Sequence, residues 1–147
     1  MFQQILVAFD GSNVARQALQ KAITLAKDQH APLRIVSVFD LGSLYWTPVT
    51  GVNVAEIEQA VIQQTQQELS DAAGLARQEG VAAETALRRA DGRRVSDEIV
   101  AEAKDWPADL IVLGTHGRGG IGRLVLGSVA EGVARAAPVP VLLVRGQ

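Results

Sequence analysis

Between Gly114 and Ser128 the chain reads Gly-Thr-His-Gly-Arg-Gly-Gly-Ile-Gly-Arg-Leu-Val-Leu-Gly-Ser. A glycine cluster of this kind suits one sort of chemistry, the binding of an anion by main-chain amides. Without Cβ atoms the backbone approaches a ligand closely and reaches φ > 0, so several N–H groups can converge on one anion. An apolar run, Leu110 to Leu113, leads into the cluster, and a helical pattern from Val129 to Ala137 leads out of it. That helix would add its own free N–H groups and the positive end of its dipole. Strand, glycine loop and helix start make the layout of a phosphate cradle.

Two short motifs can be tested against this loop. Gly117 to Gly122 matches GxGxxG, but the dinucleotide fingerprint belongs in a first βα turn with an acidic residue at the following strand. Here the match falls late, and the following strand, Val139 to Val144, carries no acid. A P-loop is excluded because Gly-Lys-Ser/Thr occurs nowhere. A longer spacing does fit: two residues separate Gly114 from Gly117, and nine separate Gly117 from the pair Gly127-Ser128. The chain also opens with Ile5-Leu-Val-Ala-Phe9-Asp10-Gly11-Ser12 and closes with Pro138-Val-Pro140-Val-Leu-Leu-Val144. On these residues the whole chain resembles the ATP-binding branch of the universal stress protein family.

The elements that must position the loop are legible from periodicity. Gln4 to Phe9 is a short apolar run, punctuated by Asp10-Gly-Ser12, with Ser12 placed to cap the next helix. In that helix Ala15, Ala18, Leu19, Ala22, Ile23 and Ala26 form one buried stripe, and Ala31-Pro32 ends it. Leu33 to Phe39 reads as a second strand, followed by a polar-aromatic loop from Asp40 to Asn53 containing Tyr45 and Trp46. The longest helix runs from Val54 to Glu79 and stops at Gly80. Its glutamines at 63, 64, 66 and 67 read as solvated surface. Val81 to Leu87 is a third strand, Val95 to Ala103 a helix stopped by Asp105-Trp-Pro107, and Asp109 to Leu113 a fourth strand. Arginines 88, 89, 93 and 94 read as a solvated turn, with contact to a partner as the alternative.

Strands alternating with helices imply one α/β domain, a Rossmann-like parallel five-stranded sheet with right-handed crossovers and helices on both faces. No repeat, linker or composition break divides residues 1–147. The pattern alone permits strand order 3-2-1-4-5 or 2-1-3-4-5; the family resemblance implies 3-2-1-4-5. In that order the tips of strands 1 and 4, at Asp10 and Gly114, lie side by side at the switch point where open α/β sheets bind ligands.

The totals narrow the function. At 147 residues, with 48% apolar and 20% charged residues, the chain reads as one ordinary globular domain. It has no cysteine, which rules out disulfides, thiolate metal sites and cysteine nucleophiles and agrees with a cytoplasmic location. The first residues lack the basic flank and cleavage site of a signal peptide, and no apolar run is long enough to be membrane-embedded. A net charge of −2 argues against nucleic acid as a partner.

Each candidate residue has a role and a plainer alternative. Gly114, Gly117 and Gly127 would shape the cradle or serve as turn glycines. Ser128 would meet the terminal phosphates with its hydroxyl and, together with Val129, with its N–H, or else form a capping box with Glu131. Arg118 and Arg123 would complement phosphate oxygens, with His116 between the first glycines, or simply be solvated. Asp10 accepts hydrogen bonds only, so it suits the ribose hydroxyls, the adenine end or a bound Mg²⁺, or else a turn before Gly11. Ala8 and Val38 match the family's adenine contacts. Tyr45 and Trp46 would fold over the ligand, dock a partner or pack on their own domain. Val139 to Val144 is an apolar edge, blunted by Pro140 and Arg145, that invites pairing or else is covered by the chain's own helices. The resemblance implies a homodimer through that strand, to which higher assembly is open.

The expected function is a nucleotide-dependent regulator that binds ATP, with ADP or AMP as other candidates, and modulates a protein partner; in this family partners include transporters, channels and kinases. An enzyme is the first alternative, and turnover is expected to be slow at most. Hydrolysis needs a residue to position water, and the phosphate end offers no carboxylate but Glu131. A nucleotide-free interaction module is the second alternative.

Overall fold

The computed structural model describes residues 1–41, 53–117 and 126–146. Five strands form one parallel sheet: β1 (Ile5–Ala8), β2 (Leu33–Phe39), β3 (Ala83–Arg89), β4 (Leu110–Gly114) and β5 (Val141–Val144). Their order is β3-β2-β1-β4-β5, with every neighbouring pair parallel. Among the described residues four helices connect them: α1 (Asn13–Gln29), α2 (Val54–Gln78), α3 (Val95–Asp105) and α4 (Ser128–Ala136). The expected single α/β domain with order 3-2-1-4-5 is the fold observed.

Central β1 explains the rest of the layering. Its residues Ile5, Leu6 and Val7 are completely buried, as a parallel strand covered on both faces must be. Alternation sends Ile5 and Val7 to one face, where α1 and α2 cover them with Leu19, Ile23, Leu69 and Ala76. Leu6 goes to the other face, where it meets Ile99 and Ala103 of α3 and Ala130 and Val133 of α4. Register pairs Ala8 with Val36 and Val7 with Val112, so β1 ends first, while β2 runs on to Phe39 and β4 to Gly114.

Local chemistry sets the boundaries. Ser12 caps α1 as expected, its Oγ accepting from the Ala15 N–H at 3.1 Å. Two boundaries move. The third strand begins at Ala83 because Val81 belongs to the stop of α2. Gly80 takes φ +81°, its N–H reaches the Arg77 carbonyl, and the Val81 N–H reaches back to that of Ala76. This is a Schellman ending, which uses Val81 as its buried hydrophobic contact. The last strand is likewise shorter than Val139 to Val144; Val139 instead packs against the α3 and α4 core, and the Pro140 carbonyl accepts from the Ile111 N–H.

The later start of β3 overturns the reading of Arg88 and Arg89 as a solvated turn: both are strand residues. Arg88 points at α3 and pairs with Glu98 at 3.1 Å, Glu102 at 2.9 Å and Asp105 at 3.2 Å. Arg34 of β2 joins the same group, 2.8 Å from Glu102 and stacked 5.2 Å over Trp106. Arg93 adds a contact to Glu98 at 3.0 Å. Burial alone would lower the pKa of the Arg34 and Arg88 guanidinium groups, but their carboxylate partners hold both above the ordinary arginine value. Arg89 pairs with Glu58 of α2 and Asp91 and lies 5.4 Å over the Phe39 ring. A strand that runs two residues further, to Arg89, converts an exposed basic turn into the clamp that holds α3 over β2 and β3.

Glu102 is the shared member of this clamp and only 5% exposed. Glu102→Ala leaves two guanidinium groups without their common acceptor and should cost about 2–3 kcal/mol. Urea unfolding followed by circular dichroism measures it; a loss below about 0.5 kcal/mol, the level of an ordinary surface substitution, would show that the clamp contributes little.

Candidate functional site

The tips of β1 and β4 leave the sheet next to each other, and the residues that follow them meet. Asp10, two residues past β1, turns the chain into α1 with its Oδ1 accepting from the Ser12 N–H at 2.9 Å. Its other oxygen faces Gly117, three residues past β4: a Cβ on Gly117 would lie 2.7 Å from Asp10 Oδ2. The turn and the site are therefore compatible readings of Asp10, because each uses a different carboxylate oxygen.

Glycine is required along this path for closeness of approach. A Cβ on Gly114 would lie 2.5 Å from Val14 Cγ1 at the start of α1. One on Gly127 would lie 2.8 Å from the Thr115 carbonyl oxygen and 3.3 Å from the His116 Cα, both backbone atoms that cannot swing aside. The expected φ > 0 occurs at neighbouring Gly11, at 79°, and at none of Gly114, Gly117 and Gly127. The Gly127 N–H donates to the Thr115 carbonyl at 2.8 Å, and the Thr115 N–H donates to the Val144 carbonyl at 2.9 Å. The base of the glycine loop is thus closed by one hydrogen bond and tied to the end of β5 by another.

Gly127 is also the N-cap of α4, with φ −61° and ψ 152° and no side-chain cap bond. Ser128 is the first helical residue, so the capping box with Glu131 is not built. The Glu131 N–H reaches the Gly127 carbonyl at 2.9 Å, and the Glu131 carboxylate binds Arg135. Ser128 is exposed, and the first amides of α4 have no carbonyl of their own helix to reach. His116 is half-buried, its Nδ1 3.1 Å from Thr115 Oγ1.

Ala8, Val38 and Val129 are each half-buried against the same apolar cluster on the α3 and α4 side of the sheet. The site therefore has an apolar wall, a carboxylate at Asp10, and a helix start with an exposed hydroxyl. Those parts suit a base, a sugar and a phosphate respectively. Arg118 and Arg123, and likewise Tyr45 and Trp46, lie outside the described residues. Among the described residues no three His, Cys, Asp or Glu side chains gather to hold a metal ion, and no helix is long and apolar enough to cross a membrane.

Three contributors escaped the sequence reading. Val14 is the side chain that Gly114 and also Gly146 lie against, and as one apolar residue in a first helical turn it carries no signal of its own. Thr115 supplies both ends of the loop's closure from its main chain, which no side-chain pattern records. Ser37, buried in β2, donates to the Phe9 carbonyl at 2.6 Å; a polar residue at an inward position of the run Leu33 to Phe39 was its visible trace.

Comparison with known proteins agrees with this geometry. The model of the family described as the universal stress protein family matches residues 1–145. A universal stress protein of Bacillus subtilis is 34% identical over 151 aligned positions, covering 99% of this chain and all of the relative. Among solved structures, a universal stress protein in complex with cAMP superposes with a TM-score of 0.70 at 27% identity, covering 99% of this chain and 98% of the other. One from Archaeoglobus fulgidus in complex with dAMP gives 0.67 at 28% identity, covering 97% of each chain.

The closure at Gly127 is open to direct test. Gly127→Ala sets a Cβ against backbone, so the 127-to-115 hydrogen bond should break and the amide of residue 127 should exchange with solvent at least about tenfold faster, equivalent to roughly 1.4 kcal/mol. Hydrogen exchange read by NMR checks this; an unchanged rate would mean the loop base accommodates a side chain.

Proposed function

The chain belongs to the universal stress protein family, and within it we propose that this protein is an ATP-binding regulator that acts as a homodimer. One observation carries the reading: Gly117 and Asp10 converge, beside the uncapped start of α4, at the switch point of the sheet. The cAMP and dAMP complexes of two family members support an adenine nucleotide as the ligand class.

In this reading the adenine lies against Ala8, Val38 and Val129, and the ribose hydroxyls donate to Asp10. The phosphates take the N–H groups of Ser128 and Val129, with the Ser128 hydroxyl adding a donor. They also take loop amides other than those of Thr115 and Gly127, which are bonded within the protein. His116, Arg118 and Arg123 add donors or positive charge along the phosphate tail. Mg²⁺, if it accompanies the nucleotide, takes its oxygens from the phosphates and Asp10. ATP is favoured over ADP and AMP because the spacing of Gly114, Gly117 and Gly127-Ser128 resembles that of the family's ATP-binding branch.

The protein acts by occupancy, not turnover. Hydrolysis requires a group that orients water at the last phosphate. The carboxylate nearest in sequence to the expected phosphate end, Glu131, lies inside α4 in a surface pair with Arg135. The occupied and empty loops present different surfaces, and a cytoplasmic partner that binds one better than the other is thereby regulated. Dimerisation uses β5, which pairs with β4 on one side and exposes Leu142, 40% accessible, at the sheet's edge.

Two substitutions test the two halves of the proposal. Gly117→Val is at an exposed position, so the fold should survive while the ATP Kd rises at least about 100-fold, roughly 2.7 kcal/mol. Wild-type affinity in that variant, by calorimetry, would overturn the site. Leu142→Lys should convert the dimer to monomer in sedimentation velocity; an unchanged dimer would place the interface elsewhere.

A further inference from the structure

On the α1 and α2 side of the sheet the inward residues of β1, β2 and β4 are Ile5, Val7, Leu33, Ile35, Leu110 and Val112, all apolar. The alternation of β2 adds Ser37 to that side, 4% exposed and two residues beyond Ile35. A hydroxyl buried so deeply needs a partner, and it has one: Ser37 Oγ donates to the Phe9 carbonyl at 2.6 Å. The Phe9 N–H, in turn, donates to the Val36 carbonyl at 2.8 Å. Both polar groups of Phe9 are thus held by β2, although β1 itself ends at Ala8.

The peptide unit that contains the Phe9 carbonyl also contains the Asp10 nitrogen, and a peptide unit is planar. Fixing the carbonyl therefore fixes the direction in which Asp10 leaves the strand. From that point the Asp10 carboxylate reaches the Ser12 N–H with one oxygen and faces Gly117 with the other. We infer that Ser37 is a positioning residue of the nucleotide site, which aims the Asp10 carboxylate at the ribose hydroxyls through the Phe9–Asp10 peptide. The inference rests on the ribose-binding reading of Asp10 given under the proposed function.

Titration calorimetry with ATP and with 2′,3′-dideoxy-ATP, which lacks the hydroxyls, separates this role from simple packing. Ser37→Ala should raise the Kd for ATP about fivefold to tenfold, the worth of one hydrogen bond, and leave that for the dideoxy nucleotide unchanged. Asp10→Asn keeps an acceptor for the Ser12 N–H, and in its background Ser37→Ala should have no further effect. Ser37→Thr, which retains the hydroxyl, should restore affinity for ATP. Equal loss for both nucleotides, or effects that add in the double variant, would overturn the inference. Should wild-type protein bind neither nucleotide, the proposed function fails. Ser37 is then judged on nucleotide-free protein, where Ser37→Ala must shift the carbon-13 resonance of the Asp10 carboxyl; an unmoved resonance overturns it. If Ser37→Ala does not fold, Ser37→Cys, similar in size and a weaker donor, takes its place in each comparison.

Discussion

Two segments that leave neighbouring parallel strands at the same end must share one volume, and here they share it at the distance of a missing Cβ. Gly117 lies so near Asp10 that any side chain on it would meet the carboxylate. The constraint originates in the sheet: β1 connects outward to β2 and β3 on one side, while β4 and β5 fill the other. Chain therefore departs from β1 and β4 in opposite directions, and the crevice between the departures is where ligands of such sheets are bound. Every other feature of the site either holds those two tips in place or keeps the space between them small.

The supports fall into two sets. On the strand side, Ile5, Leu6 and Val7 seat β1 in both cores, and the Phe9 main chain is held by β2. On the loop side, the Thr115 main chain closes the base of the glycine loop on Gly127 and fastens it to Val144 at the end of β5. The strand proposed as the dimer edge and the loop proposed to hold the phosphates are therefore neighbours along one hydrogen-bond path. Beside the apolar wall of Ala8, Val38 and Val129, the arginine–glutamate clamp, whose Arg88 pairs in register with Val38, anchors α3 across β2 and β3.

How much of this could be read from residues alone follows from what periodicity records. The strands and helices were visible because burial repeats every second or every third and fourth residue, and Ser12 announced the start of α1. The glycine spacing located the loop, and the order of apolar runs located the tip of β1. The reason for the glycines was less visible: composition cannot tell a residue that needs φ > 0 from one that needs room, and Gly114, Gly117 and Gly127 need room. Arg88 was misread because a helix stop, with Val81 as its hydrophobic contact, mimics the first residues of a strand. Ser128 resembled a capping box because Ser-x-x-Glu is satisfied by sequence, whereas the backbone places the cap one residue earlier, at Gly127. Hydrogen bonds made by main chain alone, such as those of Thr115, leave no trace in residue type.

The central claim is that main-chain amides at the end of this loop and the start of α4 close on a nucleotide's phosphates beside Asp10. Amide resonances followed in a nitrogen-15 NMR titration with ATP test it most directly. The largest shifts should fall on Gly117, Gly127, Ser128 and Val129, with Asp10 and Gly11 next, all saturating together. Shifts confined to another part of the sheet, or none at millimolar ATP, would contradict it.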